Sequence, residues 1–301
     1  MSWTEVRVPA TSANLGPGFD ALGMALSIYL EVRFRPAETL SIRVSGRDAD
    51  QISTEDDNLI WQTALAVGEH AGRPMPAVEI EINNDIPIGK GLGSSAAALL
   101  SGVVIADEVL GLEWSRDHIL DEAARIEGHP DNVAAAALGS IVASAIDSEG
   151  VTRAVRMQLP ARYGVAVVVP DFVLPTSKAR AALPNTYSRA DAVFNIQRSA
   201  LLIAAMLTQT TDAFHEALED RLHQPYRARL VPGLSEMIAL RVDGLLGAAL
   251  SGAGPSVLVF YERGHEEVVE QFEALFAAHG HGSEALVAHI PDHGYDVLRG
   301  L

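Results

Sequence analysis

Eight short stretches of the chain show polar and apolar residues in alternation or apolar residues in a run, and both patterns are typical of β-strands. The predicted strands are 4–10, 26–34, 40–46, 77–83, 139–146, 163–170, 244–250 and 256–262. Longer stretches between them repeat apolar residues at helical spacing. The predicted helices are 57–71, 94–110, 115–127, 188–207, 211–219, 233–241 and 264–278. Because the N-terminal stretches are mostly strands, antiparallel pairing and an α+β class are favoured over a regular doubly wound sheet.

The order of the predicted elements also indicates a division of the chain. No low-complexity linker or internal repeat separates two halves, but the segment "LPARYG" at 159–164 follows a run of strands and precedes a new strand and helices. We therefore predict an N-terminal domain at 1–160 and a C-terminal domain at 161–301. The segment 171–191 combines two prolines with two arginines and a lysine and has weak periodicity. Such a segment is typical of a mobile or substrate-facing loop.

Composition and charge exclude several classes of function. The 301 residues are 48% hydrophobic, enough for a substantial core, and 22 basic against 39 acidic residues give a net charge of −17. Nucleic acids and anionic membranes require a basic surface and are disfavoured, whereas a small polyanionic substrate remains possible if a few cations gather locally. The absence of cysteine rules out disulfides, thiolate nucleophiles and cysteine-ligated zinc. With neither a signal sequence nor an apolar run of about 20 residues, the sequence predicts a cytoplasmic protein.

A glycine- and serine-rich loop, "NDIPIGKGLGSSAAALL" at 84–100, lies between a predicted strand and a predicted helix. Unpaired N–H groups and the helix dipole make such a place an anion site, and phosphate is its usual occupant. Lys90 adds a positive charge, and the hydroxyl of Ser94 or Ser95 could reach a phosphate-bound Mg²⁺.

The best-known phosphate loops do not match this segment. A Walker A loop places its lysine after the second glycine, but Lys90 precedes Gly91, and a dinucleotide fingerprint needs a glycine where Ser94 stands. The alternative is a tight turn with Ser94 as the helix N-cap. From this loop alone, a phosphate site and a plain turn both remain open.

Two further polar clusters allow a functional and a structural interpretation each. In "PATSANLGPGFDALGMAL", Asn14 and Asp20 either face a ligand or form turns around Gly-Pro-Gly. In "RIEGHPDNVAAAALG", Glu127 could bind Mg²⁺ while His129 and Asn132 touch a substrate. Otherwise the second cluster is a helix end at 128 followed by a new helix capped at 131.

The last glycine-rich segment is "LLGAALSGAGPSVLVF", a predicted strand, turn and strand. An ordinary hairpin explains it. A backbone that passes close to a ligand explains it equally well.

Taken together, these motifs resemble the GHMP kinase superfamily, named for galactokinase, homoserine kinase, mevalonate kinase and phosphomevalonate kinase. The segments that carry the resemblance are "VPATSANLGPGFDALGMAL", "PIGKGLGSSAAA", "EGHPDNVA", "PTSKARAALP" and "SGAGPSV". The glycine-serine loop is typical of the superfamily, and the first, third and fourth segments resemble its homoserine kinase branch. The match extends from about residue 6 to residue 260.

The resemblance implies a fold and a reaction. The N-terminal domain would be of the ribosomal-protein-S5 type and the C-terminal domain ferredoxin-like, with the active site between them. ATP and Mg²⁺ would be used to convert L-homoserine to O-phospho-L-homoserine, a step toward threonine. The family is commonly dimeric, so a homodimer is expected.

The resemblance also assigns roles to single residues. The triphosphate would be wrapped by Pro87, Ile88, Gly89, Lys90, Gly91, Leu92, Gly93, Ser94, Ser95, Ala96 and Ala97. Mg²⁺ would be held by Ser95 and Glu127, although Asp121 and Glu122 lie on the same predicted helix and stay open as the acidic ligand. The homoserine pocket would be lined by Asn14, Asp20, His129, Asn132, Arg180, Arg227 and Gly252. Thr176, together with Asn14 and Asn132, would lie close to the transferred phosphoryl group, and Asn58 near the purine.

Two departures and two rival interpretations accompany the resemblance. Gln224 stands where many relatives have glutamate and Ser140 where a second glycine is usual; neither is expected to affect more than local packing. Another kinase of the superfamily, acting on shikimate or mevalonate, would leave Asp20 without an ammonium partner. A catalytically silent relative should have lost the loop glycines or Glu127, which this chain retains.

Overall fold

The computed structural model describes residues 2–301 and contains interleaved strands and helices. The strands are β1 (Thr4–Ala13), β2 (Leu22–Pro36), β3 (Ser41–Gly46), β4 (Val78–Asn84), β5 (Ile141–Ile146), β6 (Thr152–Met157), β7 (Tyr163–Pro170), β8 (Leu245–Leu250), β9 (Val257–Glu262), β10 (Ser283–Ala288) and β11 (Asp296–Arg299). The helices are α1 (Leu59–His70), α2 (Ser94–Leu110), α3 (Arg116–Glu127), α4 (Asp131–Leu138), α5 (Thr176–Ala181), α6 (Arg189–Thr208), α7 (Phe214–Ala217), α8 (Gln224–Arg227), α9 (Leu234–Ala239) and α10 (Val269–Ala278).

Over the described residues, the larger sheet has seven strands. Its main order is β11-β1-β2-β4-β3, and β5 pairs with β2 and carries β6 at its other edge. All neighbours are antiparallel except β3 and β4. One face packs against helices α2, α3 and α4, and α1 packs on α2, whereas the other face carries cross-strand ion pairs such as Arg35–Glu79 and Arg33–Glu81. Because every second residue of these strands is charged, this face stays in water.

Helix α2 lies at the centre of the N-terminal half. It packs on the sheet and against α1, α3 and α4, and most of its residues are buried. Gly102 permits the close approach of α1, since a Cβ there would lie 2.5 Å from the carbonyl oxygen of Ile60. The helix was predicted at 94–110 and is observed over those residues.

The smaller sheet has the order β10-β7-β9-β8. Its elements follow one another as β7, α6, β8, β9, α10 and β10, which is the βαββαβ arrangement of ferredoxin-like folds. Strand β7 is apolar throughout because its alternate side chains enter two cores: Val165 and Val167 pack in the core shared with the larger sheet, while Ala166 and Val168 pack under α10. The predicted α+β class with two domains is therefore confirmed.

The C-terminal tail does not stay with the second domain. Strand β11 pairs with β1, placing Arg299 opposite Thr4, and the preceding segment bonds the N-terminal half through Ser140 N–H to Pro291 O and Tyr295 N–H to Ala136 O. The predicted C-terminal domain at 161–301 therefore needs correction at its end, where the tail completes the larger sheet. The division near residue 160 stays a prediction.

Candidate active site

A cavity of about 460 Å³ lies between the two sheets and draws its walls from both halves of the chain. The predicted site residues that line it are Asn14, Asp20, Asn58, Pro87, Ile88, Gly89, Gly91, Leu92, Gly93, Ser94, Ser95, Ala96, Glu127, His129, Asn132, Thr176, Arg180, Arg227 and Gly252. Two predicted residues, Lys90 and Ala97, are not in its wall. The fold thus gathers segments that are up to 240 residues apart around one space.

The glycine loop turns its carbonyl groups away from the cavity. Gly89 O accepts from Leu174 N–H, Lys90 O from Ser256 N–H, Gly91 O from the Ser251 hydroxyl and Leu92 O from Thr11 N–H, at 2.7–3.2 Å. With these carbonyls engaged, the neighbouring N–H groups are left for a ligand. Such a concave row of N–H groups is an anion site.

The glycines are required by this geometry. Gly91 and Gly93 have φ of +78° and +67°. A Cβ on Gly91 would lie 2.3 Å from Ser251 O, and one on Gly93 would lie 1.9 Å from the Thr11 hydroxyl. No side chain fits at either position unless the Ser251 backbone or the Thr11 hydroxyl moves.

The N-terminus of α2 opens onto the cavity without a side-chain cap. Helices α1, α3 and α6 are capped by Asn58, Ser115 and Ser188, whereas the N-cap of α2 is Gly93, which offers no side-chain acceptor. The alternative in which Ser94 caps this helix is therefore wrong: Ser94 is its first helical residue. The first N–H groups of α2 remain available to an anion.

Lys90 was predicted to add positive charge at the phosphates, but its side chain points elsewhere. Its Nζ donates to the carbonyl oxygens of Pro170 (2.8 Å) and Phe172 (2.9 Å), and burial lowers the pKa of this amine. Lys90 thus ties the glycine loop to the connection between β7 and α5. Ala97 faces the core of the N-terminal half and is fully buried.

Asn58 lies in the cavity wall, but its side chain is committed to the chain itself. Its Oδ1 caps α1 through Ile60 N–H at 3.0 Å, and its Nδ2 donates to Ser53 O at 2.6 Å. The amide is 3% exposed. Its polar atoms therefore shape the wall rather than offer free bonds to a purine.

At the opposite end of the cavity, charged side chains converge. Asp20 accepts from Arg180 Nη2 at 3.0 Å, and the backbone N–H of Asp20 donates to Asn14 Oδ1 at 3.0 Å. Asn14 and Asp20 both have positive φ, +71° and +55°. Asn14 Nδ2 donates in turn to Gly252 O at 2.9 Å, which locks the first predicted loop to the last.

Arg227 is the most deeply buried cation of this end, with 2% of its surface exposed. Its Nη1 donates to Gly252 O (3.0 Å) and its Nε to Ala179 O (3.4 Å), whereas no hydrogen bond of Nη2 is found among residues 2–301. Burial, followed by the nearby charge of Arg180, lowers its pKa to about 10. A buried guanidinium with a free edge beside a second guanidinium fits a carboxylate.

His223 supports Arg227 from behind and was not identified from the sequence. Its Nε2 lies 2.7 Å from Gly16 O and must carry the proton, so Nδ1 can accept from Arg227 Nη1 at 3.2 Å. The imidazole is fully buried, and burial lowers its pKa. It is the N-cap of the short helix α8, which the sequence pattern did not predict, so only its proximity to Arg227 in the sequence could have pointed to it.

Three acidic residues of α3 were left open as metal ligands, and their surroundings differ. Glu122 is 4% exposed and bonded to Arg125 (2.6 Å) and His70 (3.1 Å), and Asp121 accepts from Thr152 N–H. Only Glu127 lines the cavity, no hydrogen bond to its carboxylate is found among the described residues, and burial raises its pKa. His129 Nε2 lies 4.0 Å from this carboxylate, beyond hydrogen-bond distance, so a partly buried carboxylate that accepts no hydrogen bond is left to fit a cation.

Asn132 lies where the glycine loop meets the charged end. Its Oδ1 accepts from the Thr11 hydroxyl at 2.7 Å, and its backbone N–H donates to Asp131 Oδ1 at 2.8 Å. The same Asp131 oxygen lies 3.2 Å from His129 Nδ1, and this contact raises the pKa of His129. Thr11 and Asp131 were not identified from the sequence, although Asp131 adjoins Asn132.

Thr176 begins α5 at the cavity wall, one turn before Arg180.

Gln224 and Ser140, the two residues that depart from the family pattern, do not line the cavity. Gln224 bonds Leu250 N–H and Leu218 O, and Ser140 adopts φ +61°, the conformation that a glycine would accept more easily.

Comparisons with known proteins agree with this geometry. The family of GHMP kinases N terminal domains matches residues 58–140, and that of GHMP kinases C terminal domains matches residues 202–278. A homoserine kinase of Solibacter usitatus is 64% identical over 298 residues, covering 99% of this chain and 98% of that protein. A homoserine kinase of Deinococcus radiodurans is 46% identical, covering 86% and 84% of the two chains.

A comparison with solved structures also finds a homoserine kinase. The crystal structure of homoserine kinase from Cytophaga hutchinsonii superposes with a TM-score of 0.85 at 28% identity, covering 99% of this chain and 98% of that one. The fold and the cavity define a small-molecule kinase of the GHMP type. Within that class, the chain belongs to the homoserine kinase family, and the resemblance found in the motifs is confirmed.

Proposed function

We propose that this chain transfers the γ-phosphoryl group of ATP to the side-chain hydroxyl of L-homoserine, giving O-phospho-L-homoserine. The observation that carries the proposal is the cavity itself: an uncapped helix N-terminus at one end faces Asp20, Arg180 and Arg227 at the other. An ATP-dependent kinase acting on an alcohol needs an anion site and an acceptor site within one enclosed space.

The triphosphate would lie against the loop from Pro87 to Ala96. There the N–H groups of α2 and of the glycine loop would donate hydrogen bonds to the phosphate oxygens in place of water. Because these donors are fixed by bonds to Ser251, Ser256 and Thr11, they need little reorganisation when charge develops in the transition state.

Homoserine would enter as a zwitterion and replace the Asp20–Arg180 pair by two new pairs. Its carboxylate would bind the free Nη2 edge of Arg227 together with Arg180, and its ammonium would bind Asp20. The exchange conserves charge, so no ion is left buried without a partner. Substrates without an ammonium, such as shikimate or mevalonate, would leave Asp20 unsatisfied. Asn14, His129 and the Gly252 backbone would complete this pocket.

Mg²⁺ would be held by Glu127 and by the Ser95 hydroxyl, and no hydrogen bond of that hydroxyl is found among residues 2–301. The fit rests on the donor-free Glu127 carboxylate and on two hard oxygen ligands, the kind that Mg²⁺ prefers. When bound, the ion would neutralise charge on the phosphate oxygens.

No dedicated side-chain base is needed in this scheme. An amide takes no proton at neutral pH, so Asn132 would orient the acceptor hydroxyl from its bond with Thr11, and Thr176 would lie near the transferred group. The proton would pass to the phosphate or to solvent. A pH profile of kcat in which Asn132→Ala removes or shifts an ionisation would contradict this scheme, because only the rate should fall.

The substrate assignment is tested by measuring ADP release with ATP and Mg²⁺ in the presence of L-homoserine, L-threonine, shikimate or mevalonate. We expect turnover with homoserine alone. Equal turnover with shikimate or mevalonate would reject the ammonium role of Asp20 and the assignment with it.

The metal assignment is tested by Glu127→Gln with Glu122→Gln as the matched control on the same helix. Glu127→Gln should weaken Mn²⁺ binding, measured by electron paramagnetic resonance in the presence of ATP, by at least about tenfold. Glu122→Gln should leave Mn²⁺ affinity unchanged, although it should lower stability because Arg125 and His70 lose their partner. Weaker Mn²⁺ binding in Glu122→Gln together with unchanged binding in Glu127→Gln would assign the metal-ligand role to Glu122.

The protein would act in the cytoplasm as a homodimer. Its family membership and uncompensated negative charge support a role on a small metabolite rather than on nucleic acid or a membrane.

A further inference from the structure

Helix α6 presents an apolar stripe to solvent on the face opposite its buried side. The stripe is formed by Val193, Ile196, Ala200, Ala204 and Leu207. Val193 is 42%, Ile196 69% and Leu207 62% exposed. The sequence from Ser199 to Thr211 contains no charged residue. An exposed, uncharged stripe along a helix of 20 residues is typical of an interaction surface.

The buried side of α6 is firmly attached, so the stripe is not a sign of a misplaced helix. Leu202 and Met206 are fully buried in the main core. Asn195 Nδ2 (3.0 Å) and the Ser199 hydroxyl (2.9 Å) both donate to Pro17 O, in the loop that carries Asn14 and Asp20. The stripe therefore belongs to the helix that backs the substrate loop.

The spacing of the stripe is symmetric about Ala200. Its members lie seven and four residues before this alanine and four and seven residues after it. If two copies pair antiparallel about a two-fold axis at Ala200, Ile196 meets Ala204 of the partner subunit, and Val193 meets Leu207 of the partner subunit. A large side chain thus faces a small one on both sides of the axis, while Ala200 allows close approach at its centre. Such self-complementarity is what a two-fold interface requires.

Unpaired charges also lie near the two ends of the helix. Arg189 is its first residue, Asp212 follows four residues after its last, and both are exposed and form no ion pair within residues 2–301. The antiparallel arrangement places Arg189 beside the C-terminal end of α6 of the partner subunit, after which Asp212 comes in the sequence. Elsewhere two copies of a chain with net charge −17 repel one another, so an uncharged stripe with paired ends is the favoured place of contact.

We propose that a second copy of this chain docks on the α6 stripe, with the two α6 helices antiparallel about an axis through Ala200. The inference builds on the homodimer in the proposed function and assigns its surface. Among the described residues, α6 is also the one helix long and apolar enough to cross a membrane by length and composition. A lipid surface is disfavoured because the helix has a bonded polar side and carries only two basic residues, Arg189 and Arg198, of which Arg198 is paired with Glu219, whereas surface-binding helices are rich in lysine and arginine.

The test is sedimentation velocity over a range of protein concentrations for the wild type and for Ile196→Glu, Leu207→Glu and Val155→Glu. Val155 lies on β6 and is 69% exposed, as Ile196 is, so Val155→Glu is the matched control. We expect a dimer for the wild type and for Val155→Glu, and dissociation constants raised at least about 100-fold for the two α6 variants, because each places two carboxylates in an apolar contact. Homoserine phosphorylation and the circular dichroism spectrum verify that each variant is folded.

A charge exchange supplies a second, independent measurement. Arg189→Asp and Asp212→Arg should each weaken the dimer, and the double variant should restore it, which a merely misfolded helix would not do. A wild type that is dimeric and unaffected by all α6 variants places the interface elsewhere and overturns this inference alone. A wild type that stays monomeric overturns the homodimer as well. Flotation of the wild type, but not of Ile196→Glu, with phosphatidylcholine–phosphatidylglycerol vesicles would assign the stripe to lipid instead.

Discussion

The two ends of the cavity are built from different chemical groups, backbone at one end and charged side chains at the other. The nucleotide end consists of backbone from one continuous segment, 87–96, whose glycines adopt positive φ and whose carbonyls are bonded away. The homoserine end consists of side chains from separate parts of the chain, with Asp20 and Arg180 joined in a bond across 160 residues of sequence. In the proposed function, phosphate would be bound by fixed dipoles at one end and a zwitterion by paired charges at the other.

This difference teaches which kinds of change each end tolerates. At the nucleotide end, added volume is damaging, because a Cβ collides with backbone or with a fixed hydroxyl. At the homoserine end, removal of a charge is damaging, because the partly buried Asp20–Arg180 pair or the buried Arg227 loses a charged group that the substrate would pair with. The experiments below exploit this contrast.

The largest effect is expected from Arg227→Met. The substitution removes the buried guanidinium with a free edge, and we expect kcat/KM for homoserine to fall about 100- to 1000-fold, or about 3–4 kcal/mol. KM for ATP should change less than about twofold, because the nucleotide end depends on backbone. Steady-state kinetics with each substrate varied in turn provide the measurement.

Arg229→Met is the control for this variant, since Arg229 lies two residues further on and is exposed. It should leave both KM values unchanged. An equal rise of the two KM values in Arg227→Met would show that the two ends are not separable in this way.

A smaller effect is expected from Gly91→Ala, compared with Gly111→Ala. Both glycines have positive φ, but a Cβ on Gly91 meets Ser251 O at 2.3 Å, whereas one on Gly111 meets nothing within 4 Å. Each alanine should lower the free energy of unfolding by about 1–2 kcal/mol through its φ alone. Gly91→Ala should in addition weaken ATP binding at least about tenfold, measured by titration calorimetry alongside urea unfolding.

Homoserine affinity serves as the internal reference in this comparison, because Gly91 belongs to the nucleotide end. Wild-type ATP affinity in Gly91→Ala would remove the glycine loop from the phosphate site. Loss of ATP binding in Gly111→Ala would show that backbone strain acts at a distance.

The smallest effect is a pH dependence of the free energy of unfolding, and it arises at the homoserine end alone. Burial lowers the pKa of His223, so below about pH 6.5 the unfolded chain takes up a proton that the folded chain does not. The free energy of unfolding should therefore fall as the pH drops below 6.5, by at most about 1.4 kcal/mol per pH unit from this group. Urea unfolding at pH 7.5, 6.5 and 5.5 measures the decline.

His223→Gln supplies the comparison, because it keeps a donor for Gly16 O and cannot titrate. Its stability should decline less between pH 6.5 and 5.5 than that of the wild type. Parallel declines would mean that the imidazole is not the group that responds. His223→Gln should also raise KM for homoserine, since Arg227 Nη1 loses the imidazole Nδ1 as its acceptor and the flexible amide does not fix the guanidinium in the same place.

The elements with strong local patterns were predicted well. Helix α2 begins and ends where its apolar residues indicated, and the strands predicted at 163–170 and 256–262 are present as Tyr163–Pro170 and Val257–Glu262. The helix predicted at 211–219 is only the single turn Phe214–Ala217, since its apolar spacing continues too briefly. Strands β6, β10 and β11 were not predicted: they are short and partly polar, and neighbouring strands rather than their own residues hold them extended.

The predicted site residues show the same contrast between what the local sequence indicates and what tertiary contacts decide. From its own residues the glycine loop was interpreted as either an anion site or a plain turn, because glycines before a helix have local consequences, and the uncapped N-terminus of α2 in the cavity wall favours the anion site. Direction of side chains was beyond local inference: Lys90 bonds two carbonyls of the β7–α5 connection, and Asn58 caps a helix. Both depend on contacts that no neighbouring residue specifies.

By itself, the sequence determined the α+β class and, through its motifs, the family, and it predicted a helix N-terminus at residue 94 as a candidate anion site. The tertiary structure decided which carboxylate of α3 faces the cavity, that His223 stands behind Arg227, and that the C-terminal strand returns to pair with β1. The physical reason is the distance along the chain over which each interaction acts. Backbone conformation and helix dipoles act within a few residues, whereas burial, ion pairing and strand pairing join residues that only the folded chain brings together.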